Sequence, residues 1–274
     1  MTAGTVGYVA GEGVQLRYSV QGAGPPLFLT SGIGASLELT QPLRDALRRR
    51  STIAWDAPGA GASGVPCRRP SLRRVADYAV AVLDELGLEQ VDVMGISWGG
   101  LVSQELARRH PARVRRLVVA ATGTGWTSMP GDVRALPILL NTRRYTSPRY
   151  LEEVGGRLYG GDVRSDPEIL RRQATLRLLH PPTSAGYWWQ LMATAGWTSV
   201  HWLHRLPHRT LVLAGDDDPI SHLANGRLIA HLIPDATLAV IEGGGHLFAI
   251  TRPAETARLV ERFLADPEED EAPL

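Results

Sequence analysis

The sequence predicts an α/β fold: a mostly parallel sheet with helices on both faces. Strand-like apolar runs alternate with segments of helical spacing along residues 26–121 and again along 210–265. That alternation is the mark of a parallel sheet covered on both sides. The second observation is a break: across residues 122–207 only helical pieces remain, interrupted by Pro and Gly. A stretch of about 85 residues is several times an ordinary connection, so it is expected to be a functional cap inserted between two strands of one core.

Element by element, two short strands are expected at 6–10 and 14–21, joined by a hairpin turn at Gly11-Glu12-Gly13. A buried strand at 26–30 precedes a Gly-containing loop and a helix near 39–49. The next strand is 52–55. Residues 71–86 carry Leu72, Val75, Ala76, Ala79, Val80, Val82 and Leu83, which is helical spacing. A strand at 90–94, a helix at 99–110 and a strand at 117–121 follow. Beyond the insertion come a strand at 210–214, a helix at 222–232, a strand at 237–241 and a closing helix at 255–265. The acidic, Pro-containing tail from Asp266 is expected to fray.

Composition excludes several classes. With 29 basic against 28 acidic residues, no strong field steers the chain to nucleic acid, so no nucleic-acid partner is expected. A single cysteine, Cys67, forms no intramolecular disulfide and builds no Cys-based metal site. No metal or other cofactor is expected. Residues 1–5 lack a basic stretch followed by an apolar one, so no signal peptide is expected. No apolar run approaches the ~20 residues of a membrane helix, which leaves the cytoplasm as the default location. The sequence assigns no oligomeric state.

Gly95-Ile96-Ser97-Trp98-Gly99 is a G-x-S-x-G match that follows an apolar strand and opens a helix. That is the context of a nucleophile elbow, where a strained strand-to-helix turn exposes the serine hydroxyl and the flanking glycines leave room. A nucleophilic serine needs a base, and the base needs an orienting carboxylate, here in the chain order Ser, acid, His. His246 follows a late strand through Gly243-Gly244-Gly245 and is the expected base. The acid lies in Asp216-Asp217-Asp218-Pro219, where three carboxylates compete. Asp218, farthest along the loop, has the modest lead. An oxyanion hole needs two backbone donors. Trp98, after the nucleophile, is one; Ile33, in the loop Ser31-Gly32-Ile33-Gly34, is the other.

Two further patterns are discounted. Gly59-Ala60-Gly61-Ala62-Ser63-Gly64 matches G-x-G-x-x-G, but Pro66 and Pro70 delay the helix and the mark ~20 residues on, where an acidic residue should end the next strand, falls inside that helix, so a tight loop near the active site is expected. His201, His204 and His208 lack an accompanying carboxylate and straddle Pro207, so a structural face is expected. The Arg clusters 48–50, 73–74 and 143–144 are expected to be solvated. The insertion holds five of the seven tryptophans. Most are expected to pack the cap on the core, with Trp126, Trp188, Trp189 and Trp197 as candidates to line an apolar channel above Ser97.

These residues resemble the α/β-hydrolase superfamily and, more closely, the intracellular medium-chain-length poly(3-hydroxyalkanoate) depolymerases. The resemblance rests on Gly32-Ile33-Gly34-Ala35, Asp56-Ala57-Pro58-Gly59, Gly95–Gly100, the run 211–219 and Gly245-His246-Leu247-Phe248. It extends through the insertion in Pro148-Arg149-Tyr150, Tyr159-Gly160-Gly161, Tyr187-Trp188-Trp189-Gln190-Leu191 and the run 196–204. It implies the α/β-hydrolase fold, with a core of residues 1–121 and 208–274 and a helical cap of 122–207 placed before the strand that precedes the catalytic acid. It implies Ser97, Asp218 and His246 as the triad, and an aliphatic hydroxyalkanoate polyester or oligoester as substrate, with a polyester granule as its source. The chain departs from the family at Ser31, where the family carries Asn, and in residues 165–184 and 220–224. A small-ester or thioester hydrolase, a cyclase or lyase on the same fold, and a non-catalytic binding homologue are the alternative readings.

Overall fold

The computed structural model describes residues 4–265, so the tail from Asp266 lies outside the described residues. The chain opens on β1 (Thr5–Gly11) and β2 (Val14–Gln21), an antiparallel hairpin. Its two-residue turn, Glu12-Gly13, has φ of 44° and 82°, the mirror-image turn whose twist matches the flanking strands. β3 (Pro26–Thr30), β4 (Ser51–Trp55), β5 (Val91–Ile96), β6 (Val114–Ala120), β7 (Thr210–Gly215) and β8 (Ala236–Ile241) complete one sheet in the order β1-β2-β4-β3-β5-β6-β7-β8. β2 meets β4 antiparallel, and from β4 to β8 every pairing is parallel.

Alternate residues of the central strands feed two separate cores. In β3, Phe28 faces the core formed with α2 (Leu72–Glu85) and α3 (Trp98–Arg109), while Leu27 and Leu29 face the opposite side. In β6, Leu117 and Val119 take the first side and Val118 and Ala120 the second. The second side is closed by α1 (Gln41–Ala46), α10 (Phe248–Thr251) and α11 (Pro253–Leu264). α9 (Leu223–Leu232) joins the first side through Ile229. Burial on both faces explains why these strands read as continuous apolar runs.

Between β6 and β7 stand α4 (Leu136–Leu140), α5 (Pro148–Tyr159), α6 (Asp162–Ser165), α7 (Pro167–Leu179) and α8 (Ser184–Ala193). They carry a small core of their own, including Leu151, Leu158, Val163 and Leu170. No helix among the described residues is long and apolar enough to cross a membrane.

Three expectations need correction. The helix foreseen at 39–49 is a 3-10 turn (Leu37–Thr40) followed by the six-residue α1. It stops early because residues 48–50 must lead straight into β4. Arg50 is not solvated: it is 2% exposed, with Nη1 3.2 Å from Asp92 Oδ2. Arg144 is equally buried, donating to the carbonyls of Leu139 and Asn141 and to the Tyr187 hydroxyl. A buried guanidinium needs such partners, and sequence neighbours do not reveal them.

Candidate active site

Ser97, Asp218 and His246 come from loops after β5, β7 and β8, all at the carboxyl edge of the sheet, where open α/β folds hold ligands. Ser97 has φ 55° and ψ −120° and directly precedes α3. A non-glycine residue in that region is strained. Its N–H donates to the Ala120 carbonyl (2.8 Å), and its own carbonyl accepts from Thr122 Oγ1 (2.7 Å). The flanking glycines are sterically required: a Cβ on Gly99 would sit 2.1 Å from the Thr30 carbonyl oxygen, and one on Gly95 2.2 Å from that of Gly99.

His246 Nε2 lies 2.9 Å from Ser97 Oγ, and Nδ1 lies 2.8 Å from Asp218 Oδ2. With Asp218 ionised, Nδ1 carries the proton and Nε2 is left as the acceptor of the serine hydroxyl. Asp218 Oδ1 accepts from the N–H groups of Ile220 (2.8 Å) and Ser221 (2.9 Å), so both oxygens are engaged. The other two aspartates do different work. Asp216 Oδ1 accepts from Gly243 N–H, tying the β7 loop to the β8 loop. Asp217 accepts from Gly161 N–H and pairs with Arg164, tying that loop to the insertion.

Ile33 and Trp98 line the same cavity as Ser97, and no hydrogen bond from either backbone N–H to a protein acceptor is found among the described residues. The Ile33 loop is held by the insertion. Gln190 of α8 accepts from Gly34 N–H (2.7 Å), donates to the Pro58 carbonyl (3.0 Å), and accepts the Trp98 indole N–H on its own carbonyl (2.9 Å). Tyr145 donates to the Ile33 carbonyl. The Tyr159 carbonyl accepts the His246 N–H (2.7 Å), and its ring stacks on the imidazole. Tyr187 bridges Arg144 and the Leu139 carbonyl, and burial pushes its phenol up to about 12, so it stays a neutral donor.

Two cavities meet at Ser97 and His246. One, of about 660 Å³, is a wide groove with apolar walls that include Leu101, Leu136, Leu140, Leu191 and Met192. The other, of about 60 Å³, is lined by Tyr145, Tyr159, Arg144 and Arg177.

Of the four tryptophans expected at the channel, Trp126 lines the wide groove and is 79% exposed. Trp188, Trp189 and Trp197 line neither cavity. Trp188 points outward from α8, and Trp189 donates to the Pro66 carbonyl. Trp197 donates to Glu105 and packs edge-on against Trp202. Each indole found a local acceptor or open surface, while the α8 face turned to the site carries Tyr187, Gln190 and Leu191. Gln190 was the residue sequence reasoning passed over; its signal was a lone amide in an apolar helical run. The loop 59–64 packs against Gly186 of α8 and is bracketed by Asp56, which accepts from Leu37 and Ala62 N–H and pairs with Arg17. Burial pushes that carboxyl up to about 6 against the opposing pull of Arg17. His201 and His204 are exposed, and His208 is buried against the Pro111 carbonyl.

Residues 27–259 match the alpha/beta hydrolase family. The chain is 42% identical over 240 residues to a poly(3-hydroxyalkanoate) depolymerase of Ectopseudomonas oleovorans, covering 87% of this chain and 84% of that one. It is 32% identical to a 2-hydroxymuconate semialdehyde hydrolase of Pseudomonas sp. strain CF600, over 94% of this chain and 93% of the relative. Among solved structures, a hydrolase from Pseudomonas aeruginosa superposes with a TM-score of 0.80 at 26% identity, covering 97% of this chain and all of the other.

Proposed function

The chain belongs to the alpha/beta hydrolase family, and from that premise we propose that it is a serine esterase acting on aliphatic hydroxyalkanoate polyesters or oligoesters. The observation that carries the reading is the continuous hydrogen-bonded series from Asp218 through His246 to Ser97. In this reading Ser97 Oγ attacks the ester carbonyl as His246 Nε2 takes its proton. The Ile33 and Trp98 N–H groups hold the oxyanion, and Asp218 stabilises the imidazolium. The alcohol leaves with the proton from His246. Water, deprotonated by His246, then cleaves the acyl-enzyme and releases the acid.

The substrate class is supported by two observations. The 42% identical relative is named a poly(3-hydroxyalkanoate) depolymerase. The wide groove beside Ser97 is apolar and open, which suits an aliphatic chain longer than the site. Product analysis after incubation with a medium-chain polyester tests the proposal. Release of 3-hydroxyacid monomers or oligomers is expected. Cleavage of p-nitrophenyl esters with no release from polymer would restrict the activity to small esters. Failure of a fluorophosphonate to label Ser97 would point to a binding protein or a different chemistry.

A further inference from the structure

The 60 Å³ cavity is far smaller than the ~300–1,000 Å³ of a whole ligand site, so it accepts one end of a substrate. Its wall holds two guanidinium groups and no carboxylate among the described residues. The two cations differ. Arg144 is spent on carbonyls and on the Tyr187 hydroxyl. Arg177, on α7, is 5% exposed and has no hydrogen-bond acceptor or ion-pair partner among the described residues; its Nε and Nη1 are sealed from solvent without one. It is held only by the rings of Tyr145 and Tyr159, with its guanidinium carbon 4.9 and 5.4 Å from their centroids. One turn earlier on the same face, Gln173 Oε1 is also buried and unpartnered.

Stacking on two phenol rings places the flat guanidinium and leaves its in-plane donors unused. A buried cation with five N–H donors and no acceptor is costly unless an anion joins it. The planar fork of arginine matches a carboxylate in two parallel hydrogen bonds. Ser97 and Arg177 line the same small cavity, so a carboxylate held by the guanidinium belongs to the end of the substrate next to the scissile ester. An ester of a 3-hydroxyacid meets that condition: one methylene separates its free carboxylate from the carbon bearing the ester oxygen.

Resting on the esterase reading above, we propose that this cavity is a carboxylate subsite in which Arg177 holds the free acid end of a hydroxyalkanoate chain, so that cleavage proceeds from that end. Water adds across the terminal ester. The acyl carbon–oxygen bond breaks, the alcohol oxygen leaves as the hydroxyl of a 3-hydroxyacid, and the shortened chain keeps a new carboxylate for the next cycle. The carboxylate on Arg177 is bound and not consumed.

Calorimetric binding of 3-hydroxyoctanoate and of its primary amide separates this proposal from the esterase reading, because neither probe carries an ester and binding needs no turnover. The wild type should bind the acid at least about tenfold more tightly than the amide, the scale of one charge-assisted contact. Arg177→Met should bring the two affinities together, and Arg177→Lys should keep part of the difference. Equal affinities in the wild type, or a full difference persisting in Arg177→Met, overturns the subsite. If Arg177→Met fails to fold, the wild type and Arg177→Lys decide. Hydrolysis of the linear 3-hydroxyoctanoate dimer as free acid and as terminal primary amide supplies the second arm. A wild type that binds the acid selectively yet cleaves neither dimer sinks the esterase reading and leaves the subsite. One that binds both alike and cleaves both at equal rates sinks the subsite and leaves the esterase.

Discussion

The sheet and the inserted helices meet at the same three side chains and contribute to them differently. Strand ends carry the atoms of the proposed reaction: Ser97 after β5, Asp218 after β7, His246 after β8. The insertion carries the tethers. Gln190 and Tyr145 grip the Ile33–Gly34 peptide, Tyr159 receives the His246 N–H, and Gly161 reaches the Asp217 carboxylate. The contact at Gly161 is tight enough that a Cβ there would lie 2.2 Å from the Gly245 nitrogen. The chemistry proposed for the core is therefore held in register by a segment that supplies none of the proposed triad. If that division is right, variants in the core should remove the reaction, and variants in the insertion should degrade its geometry or its substrate range.

The sharpest test lies in the core. Ser97→Ala is expected to lower ester hydrolysis by about 10⁴-fold or more with little change in Tm. Activity within a few-fold of wild type would remove Ser97 from the reaction. In the insertion, Gln190→Leu keeps the side chain's size and removes both amide contacts, leaving Gly34 N–H and the Pro58 carbonyl without partners. Losing one oxyanion donor costs ~10²–10³ in turnover. A donor displaced rather than deleted should cost less, so a fall in kcat of about 10–100-fold is expected, with KM for a short p-nitrophenyl ester changed far less. A purely structural role would lower Tm and leave kcat per folded molecule intact, and that result would break the comparison.

The same division explains what the sequence could and could not reveal. The central strands β3, β4, β5 and β7 were legible because each is buried on both faces and so reads as an unbroken apolar run. The convergence of the Ser97, His246 and Asp216–Asp218 loops was legible because each follows a strand at the same edge. Which aspartate faces the imidazole was not, because three adjacent carboxylates differ only in where the backbone turns them: Asp216 to Gly243, Asp217 to Gly161, Asp218 to His246. In the insertion, period alone says little, because its short helices pack partly on one another and partly on the core. Trp189 and Trp197 are bulky and aromatic, yet Pro66 and Glu105 claim their indole N–H groups. Arg50 and Arg144 sit in basic clusters that suggest solvent, and only the fold brings up Asp92, Leu139 and Tyr187 as their partners.

The smallest expected effects separate two tryptophans that sequence reasoning treated alike. Trp126 stands on the wide groove and is mostly exposed, so its ring can cover an aliphatic chain only when one is present. Burying part of such a ring against a chain at ~25 cal/mol per Å² is worth a kcal/mol or so, a few-fold in affinity. Trp126→Ala should therefore raise KM a few-fold for octanoate esters while leaving acetate esters nearly untouched. Trp188 is partly exposed on α8 and lines neither cavity. Trp188→Ala should fall within about ±0.5 kcal/mol in stability, as exposed substitutions do, with both KM values unchanged. Steady-state kinetics on the two ester lengths for each variant read this directly. A chain-length effect that followed Trp188 in place of Trp126 would mean that long substrates cross the outer surface of α8, and the groove would lose its claim to them.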